Sequence, residues 1–115
     1  MEELIARVFA ARSFAHERHL LTYSFAEHAA LEGFYTAIVD KADELAEVYQ
    51  GMFGPMIPFP AVKLSGTDAA SVLRLEANWI KGKRAELSKG EETIGALIDE
   101  LAAVYFQTLD RLRRK

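Results

Sequence analysis

Apolar residues recur every three or four positions through most of the chain, a periodicity that predicts four α-helices. Ser24, with Glu27 three positions later, forms a capping box at the start of the second helix. Gly51 is a usual stop residue and is expected to end that helix. The predicted helices cover approximately residues 2–22, 25–50, 68–87 and 91–113.

The stretch at residues 51–66 has a different composition, because it holds all three prolines of the chain together with several glycines. It predicts a long connection without a helix of its own, whose apolar side chains pack over helix ends or at a subunit contact. Thr67 or Ser65 is the expected cap of the third helix. Two short connections and one long one predict a single all-α domain over residues 1–115. Its expected architecture is an antiparallel four-helix bundle with a ferritin-type crossover between helices two and three.

The second helix has two distinct faces. One face is polar: His28, Glu32, Asp43 and Glu47 are spaced by 4, 11 and 4 positions and fall within roughly one quadrant of the helical wheel. We call these four residues the polar stripe, and we expect it to point sideways, toward a neighbour. The other face is an apolar stripe that should line the core, formed by Leu31, Phe34, Ile38, Ala42, Leu45 and Tyr49.

Composition narrows the possible functions. The chain has no cysteine, which excludes disulfides, thiol catalysis and cysteine-ligated metals and leaves oxygen and imidazole as metal ligands. No apolar run approaches the roughly 20 residues of a membrane span, and the N-terminus lacks signal-peptide features, so we expect a soluble, cytoplasmic protein without a membrane partner. A net charge of −3 argues against a general nucleic-acid binder, although DNA binding stays open.

All three histidines of the chain lie between residues 16 and 28. His16 and His19 belong to the end of the first helix, and His28 belongs to the polar stripe. Imidazoles beside carboxylates at ligand spacing predict a non-haem di-iron centre, which needs hard oxygen ligands and a bridging carboxylate. No histidine has a glutamate three positions before it, so a site inside one bundle would lack the usual Glu-x-x-His motifs. The alternative is that the carboxylates form an ordinary solvated face.

The region from residue 14 to residue 51 resembles the Dps-type miniferritins, whose second helix carries the phrase H-x3-(D/E)-x10-D-x3-E. Here that phrase is His28, Glu32, Asp43 and Glu47, ending within DKADELAE. The preceding helix of that family supplies one more histidine, for which His16 and His19 both stay open. The runs YSFAEHAALEGFY and AEVYQGMFG are similar to small Dps-like proteins of some bacteriophages. Beyond residue 51 only the helical layout agrees.

The resemblance implies a ferroxidase, in which a di-iron centre shared between two chains oxidises Fe(II) with peroxide or dioxygen. One chain would supply His16 or His19 together with His28 and Glu32, and its partner would supply Asp43 and Glu47. Zinc could substitute for iron, and no catalytic residue beyond the metal ligands or further cofactor is implied. The expected assembly is a homo-oligomer with a two-fold dimer interface, and a dodecamer would support iron storage. The alternative is a non-catalytic Dps-like assembly or interaction protein with a structural or vacant metal site.

Overall fold

A computed structural model of the chain describes residues 1–114 and contains four α-helices, α1 (Glu2–Leu21), α2 (Phe25–Phe53), α3 (Ala69–Ser88) and α4 (Glu92–Arg113). No β-strand occurs within these residues. α1 and α4 each pack against both α2 and α3, and they lie diagonally across the bundle from each other. The predicted all-α four-helix bundle is therefore confirmed. In the described part of the chain, none of the helices combines the length and hydropathy needed to cross a lipid bilayer.

The predicted apolar stripe of α2 forms the centre of the core. All six of its residues are buried, and Phe34 meets Tyr105 of α4 edge to face with ring centroids 4.9 Å apart. The 29 residues of α2 rise about 44 Å at 1.5 Å per residue. The bundle is 44 Å long, so α2 extends from one end to the other. Its apolar stripe therefore contacts core along its full length, while the polar stripe on another side stays exposed or half-buried.

The end of α2 lies farther along the chain than predicted. Gly51 is helical, and the helix continues to Phe53. A Cβ atom at Gly51 would meet nothing within 4 Å, and a glycine inside a helix costs only about 1 kcal/mol relative to alanine. The helix stops at Gly54, whose φ of 96° suits glycine and whose N–H donates to the carbonyl of Gln50.

The two predicted helix caps have different outcomes. The Ser24 hydroxyl accepts a hydrogen bond from the Glu27 N–H at 3.1 Å, so the capping residue of α2 is confirmed. At the start of α3, the prediction of Thr67 or Ser65 is wrong, because Asp68 occupies the N-cap position. Its carboxylate accepts a hydrogen bond from the Ser71 hydroxyl and none from a backbone N–H of the helix.

The long connection, predicted at residues 51–66, covers residues 54–68. Near its start, the Ile57 N–H donates to the Glu2 carboxylate at 3.0 Å, next to the beginning of α1. Phe59 then places its ring centroid 6.0 Å from that of Phe9, one turn or more farther along α1. These contacts show that the segment packs against the side of α1 and not only over helix ends.

A buried ion pair joins α1 to α3. Arg7 donates two hydrogen bonds to Glu76, from Nε at 3.0 Å and from Nη2 at 3.1 Å. Its guanidinium carbon lies 4.1 Å from the centre of the Trp79 ring, and Glu76 is buried. The hydrogen bonds to Glu76 raise the pKa of Arg7 above its usual value. A second carboxylate, that of Glu3, accepts from Arg7 at 3.1 Å on the exposed side.

We predict that Glu76→Ala lowers the free energy of unfolding by about 2–3 kcal/mol, because it leaves the half-buried Arg7 charge without its buried partner. Glu3→Ala is the matched control, since it removes an exposed carboxylate from the same guanidinium and should cost less than about 0.5 kcal/mol. Urea unfolding of the three proteins measures both differences. Equal losses for the two variants would contradict a structural role for the buried pair.

Candidate metal centre

The short turn between α1 and α2 brings the histidines together. α1 ends at Leu21, and Ser24 caps α2, so only three residues separate the two helices. The turn is held by the Ser24 N–H, which donates to the Thr22 hydroxyl at 3.2 Å. As a result, His19 from the last turn of α1 stacks on His28 from the first turn of α2, with ring centroids 3.6 Å apart and planes inclined by 19°.

The two stacked histidines exchange hydrogen bonds with each other's backbone. Nδ1 of His19 lies 2.7 Å from the carbonyl oxygen of His28, and Nδ1 of His28 lies 2.7 Å from the carbonyl oxygen of His19. A carbonyl oxygen can only accept, so both Nδ1 atoms must carry the hydrogen. In the neutral rings both Nε2 atoms therefore keep their lone pairs, which is the tautomer that binds metal through Nε2.

Glu32 stands next to this pair on the following turn of α2. Its Oε1 atom lies 3.9 Å from Nε2 of His19, which is itself buried. His16 takes a different position, because it is exposed and stacks on Tyr35 with ring centroids 4.2 Å apart. The edge of Tyr35 also contacts His19, at a centroid distance of 5.3 Å. His19 therefore has the closer approach to Glu32, while His16 lies 6.0 Å from His19 between ring centroids.

Asp43 and Glu47 lie elsewhere on α2. Both are exposed, on the same side of the helix as Glu32, but Asp43 is eleven residues farther along. That separation corresponds to about 16 Å along the helix axis, which is too far for ligands of one metal centre. Within residues 1–114, no group of three or more candidate ligand residues is close enough to hold a metal ion. One chain thus places the three histidines and Glu32 near one another at one end of the bundle, without forming a complete ligand set, and Asp43 and Glu47 lie farther along α2.

Exposed apolar side chains surround the histidines. Tyr23 in the turn is fully exposed, and Phe25, which is 82% exposed, places its ring 6.2 Å from that of His28. Leu20 and Leu21 at the end of α1 are exposed as well. This end of the bundle therefore carries an apolar surface next to imidazole and carboxylate groups, a combination typical of a protein interface.

The interior of the bundle contains ionisable groups that the sequence pattern did not predict. Glu76, which is a buried carboxylate, is paired with Arg7. The nearby Tyr105 hydroxyl is buried without a hydrogen-bond partner among the described residues, and burial raises the pKa of Tyr105. Arg7 and Glu76 are 69 positions apart, and no local pattern connects them. Tyr35 contacts His16 and His19, and its place at the edge of the polar stripe is the sequence signal that could have pointed to this contact.

The sequence matches the model of one protein family, described as a family of unknown function, DUF5856, over residues 19–112. That range covers most of the chain. It includes His19, His28 and Glu32 as well as Asp43 and Glu47, but it leaves out His16. No curated protein and no solved structure has significant similarity to the chain.

We predict that nitrogen NMR of the metal-free protein at a pH where the rings are neutral will show His19 and His28 protonated at Nδ1. The reciprocal hydrogen bonds require this tautomer, because their acceptors are carbonyl oxygens. His16 forms no such bond and serves as the internal control, with a tautomer set by solvent. Protonation of either His19 or His28 mainly at Nε2 would contradict the arrangement.

Proposed function

The chain belongs to the DUF5856 family, and we propose that it is a ferritin-like iron-binding protein that oxidises Fe(II) at a site shared by two copies. The observation that carries this proposal is the stacked pair of His19 and His28, in which Nε2 of His19 lies 3.9 Å from the Glu32 carboxylate. Imidazole nitrogen and carboxylate oxygen together form a donor set that suits Fe(II) and also zinc. The residues present therefore fit half of a di-metal centre.

The layout of the bundle supports the ferritin-like part of the proposal. Two short connections, at residues 22–24 and 89–91, alternate with the long connection at residues 54–68. That long segment runs along α1 before α3 begins, and this path supports a crossover of the ferritin-like type.

The other half of the centre would come from a second copy. Consider two α2 helices that pair antiparallel about a two-fold axis, and let this axis cross each helix at the level midway between residues 37 and 38. His28 of one copy then lies level with the partner's Glu47. In the same pairing, Glu32 lies level with the partner's Asp43. The spacing of the polar stripe is thus symmetric about one point, so a single two-fold axis completes two identical sites.

The residues between these ligands suit close approach of the two helices. In the same register, Ala29 lies level with the partner's Ala46, and Thr36 lies level with the partner's Val39. Small side chains at these positions let two helix backbones come near each other. The exposed Phe25 would be covered at the ends of this interface, which removes apolar surface from water.

The negative charges at the proposed interface imply that a metal ion would also affect the stability of the dimer. Glu32 and the partner's Asp43 would face each other as two carboxylates, and neither has a lysine or arginine partner among residues 1–114. Like charges this close repel unless a cation lies between them. Divalent metal would therefore stabilise the dimer as well as occupy the site.

The proposed reaction is the oxidation of Fe(II) as substrate. Two Fe(II) ions each lose one electron, and one hydrogen peroxide molecule accepts both electrons with two protons to give two water molecules. Dioxygen would serve as an alternative oxidant. The protein would contribute Nε2 of His19 or His16, Nε2 of His28 and the Glu32 carboxylate from one copy. The partner's Asp43 is the proposed bridging carboxylate, with the partner's Glu47 beside it.

A second candidate function rests on the apolar surface at the turn between α1 and α2. The exposure of Tyr23 and Phe25 favours an interface whether or not metal turnover takes place. In that case the protein acts as a Dps-like assembly or interaction protein, and the histidines and carboxylates are structural. The two functions differ in whether the site oxidises iron.

We predict that Asp43→Ala abolishes rapid Fe(II) oxidation, because it removes the carboxylate placed to bridge two ions. The fold should be kept, since Asp43 is exposed and outside the core. Asp40→Ala is the matched control: it removes the same side chain from an exposed position of α2 off the polar stripe, and it should oxidise iron at the parent rate. Absorbance of Fe(III) after anaerobic loading and addition of peroxide measures the rate. Equal rates for the parent and Asp43→Ala would contradict the ferroxidase function.

We further predict that removal of divalent metal weakens the dimer by about tenfold or more in dissociation constant, because the facing carboxylates then repel. Sedimentation velocity with zinc and with a chelator measures this change. Glu32→Gln removes one charge of the facing pair and should make the dimer less dependent on metal. A stable monomer at micromolar concentration with zinc present would contradict both the interface and the shared site.

A further inference from the structure

The surface shared by α3 and α4 carries an apolar centre with positive charge around it. Phe106 is 37% exposed and lies between two adjoining depressions, of about 610 Å³ and about 480 Å³, that both include Asp110. The first depression includes Lys81 and Arg111, and the second includes Arg74. We call Phe106 with Arg74, Lys81 and Arg111 the basic groove.

The carboxylates of this surface are already neutralised within the chain. Asp99 accepts from Arg84 at 2.8 Å, and that hydrogen bond lowers the pKa of Asp99. Asp110 accepts from Arg114 at 3.1 Å and from Arg113 at 2.8 Å, and these bonds lower the pKa of Asp110. In contrast, the three cations of the basic groove form no ion pair with any carboxylate of the described residues. Lys81 also acts on Asp99 through its charge, but without an ion pair. The groove therefore has more positive charge than its neighbouring carboxylates offset, on a chain whose net charge is −3.

The same chain offers a surface of the opposite charge. Asp40 and Glu44 lie one turn apart on the outer side of α2, both exposed and neither in an ion pair within residues 1–114. Lys41, which lies next to Asp40 in the sequence, pairs with Glu100 of α4 instead. Ala37, one turn before Asp40, is small and exposed. We call Asp40, Glu44 and Ala37 the acidic strip.

We propose that the basic groove binds the acidic strip of a second copy of this chain. The carboxylates of Asp40 and Glu44 would pair with Arg74 and Lys81, and the small Ala37 leaves room for the exposed Phe106 ring. This corresponds to a helix laid against a groove between two helices, with apolar contact at the centre and charges at the rim. Because Asp40 and Glu44 lie outside the polar stripe, the contact is separate from the proposed metal site.

The contact joins two different surfaces, so it is head to tail. Such an interface does not stop at two copies, and it extends an assembly into a ring, a closed shell or a filament. Combined with a two-fold dimer, it would join dimers into a larger particle. The rim charges make this association dependent on salt, since exposed ion pairs are screened at high ionic strength.

The test is a charge exchange followed by native mass and sedimentation in zinc-containing buffer. The parent should form particles larger than a dimer at about 0.05 M salt, and their mass should fall about twofold or more at about 0.5 M salt. The pair Arg74→Glu and Lys81→Glu should leave dimers at low salt, and so should the pair Asp40→Lys and Glu44→Lys. The protein with all four changes should recover the large particles, because the opposite charges face each other again.

Arg12→Glu with Lys63→Glu is the control, since it reverses two exposed and unpaired cations away from the basic groove and should keep the large particles. Circular dichroism on every variant checks the helical fold, and recovery in the fourfold variant shows that the paired variants fold. A parent that never exceeds a dimer at low salt would overturn the proposal. Large particles that survive either pair of reversals, or a fourfold variant that stays dimeric, would also overturn it. Fe(II) oxidation by the parent is measured separately, so failure of the ferroxidase function is distinguishable from failure of this contact.

Discussion

The hydrogen bonds that His19 and His28 exchange set both the geometry and the chemistry of one end of the bundle. They join the last turn of α1 to the first turn of α2 through two bonds of 2.7 Å. The His19 carbonyl belongs to the last turn of α1, where the helix itself provides no donor, so His28 also satisfies a helix end. Because both Nδ1 atoms are occupied, both Nε2 atoms keep lone pairs in the neutral rings, and the packing of α1 on α2 thus determines the tautomer.

The distance between the candidate ligands along α2 explains why we propose a site shared by two chains and not a site within one chain. Glu32 and Asp43 lie on one side of α2 but about 16 Å apart along it, so no local rearrangement of one chain joins them at one metal. In the proposed dimer, a second α2 in antiparallel orientation would complete the ligand set without any change in the fold. Inside the bundle, the buried Glu76 carboxylate is already paired with Arg7.

Sequence periodicity predicted features that arise within one helix, such as a buried face or a cap. It did not predict contacts between side chains of different helices. The buried face of α2 and the cap at Ser24 follow from local spacing, and both are confirmed. The end of α2 was misplaced because a glycine such as Gly51 is tolerated inside a helix, whereas the positive φ that stops the helix occurs at Gly54. The stacking of His19 on His28 depends on how the turn folds, which spacing alone does not fix. The polar stripe follows from spacing alone, whereas its metal chemistry stays a prediction.

Around its axis, α2 thus presents three sides that differ in their side chains and in their surroundings. The apolar stripe packs into the core, the polar stripe holds the candidate ligands, and the acidic strip carries unpaired charge toward the outside. Asp40 and Asp43 show how narrow the division is, because they are three residues apart yet belong to different sides. A helix turns about 100° per residue, so three positions move a side chain about 60° around the axis. In the two contacts proposed for this protein, Asp43 would thus face the metal and Asp40 the basic groove of another copy, so single substitutions at the two positions test the two contacts separately.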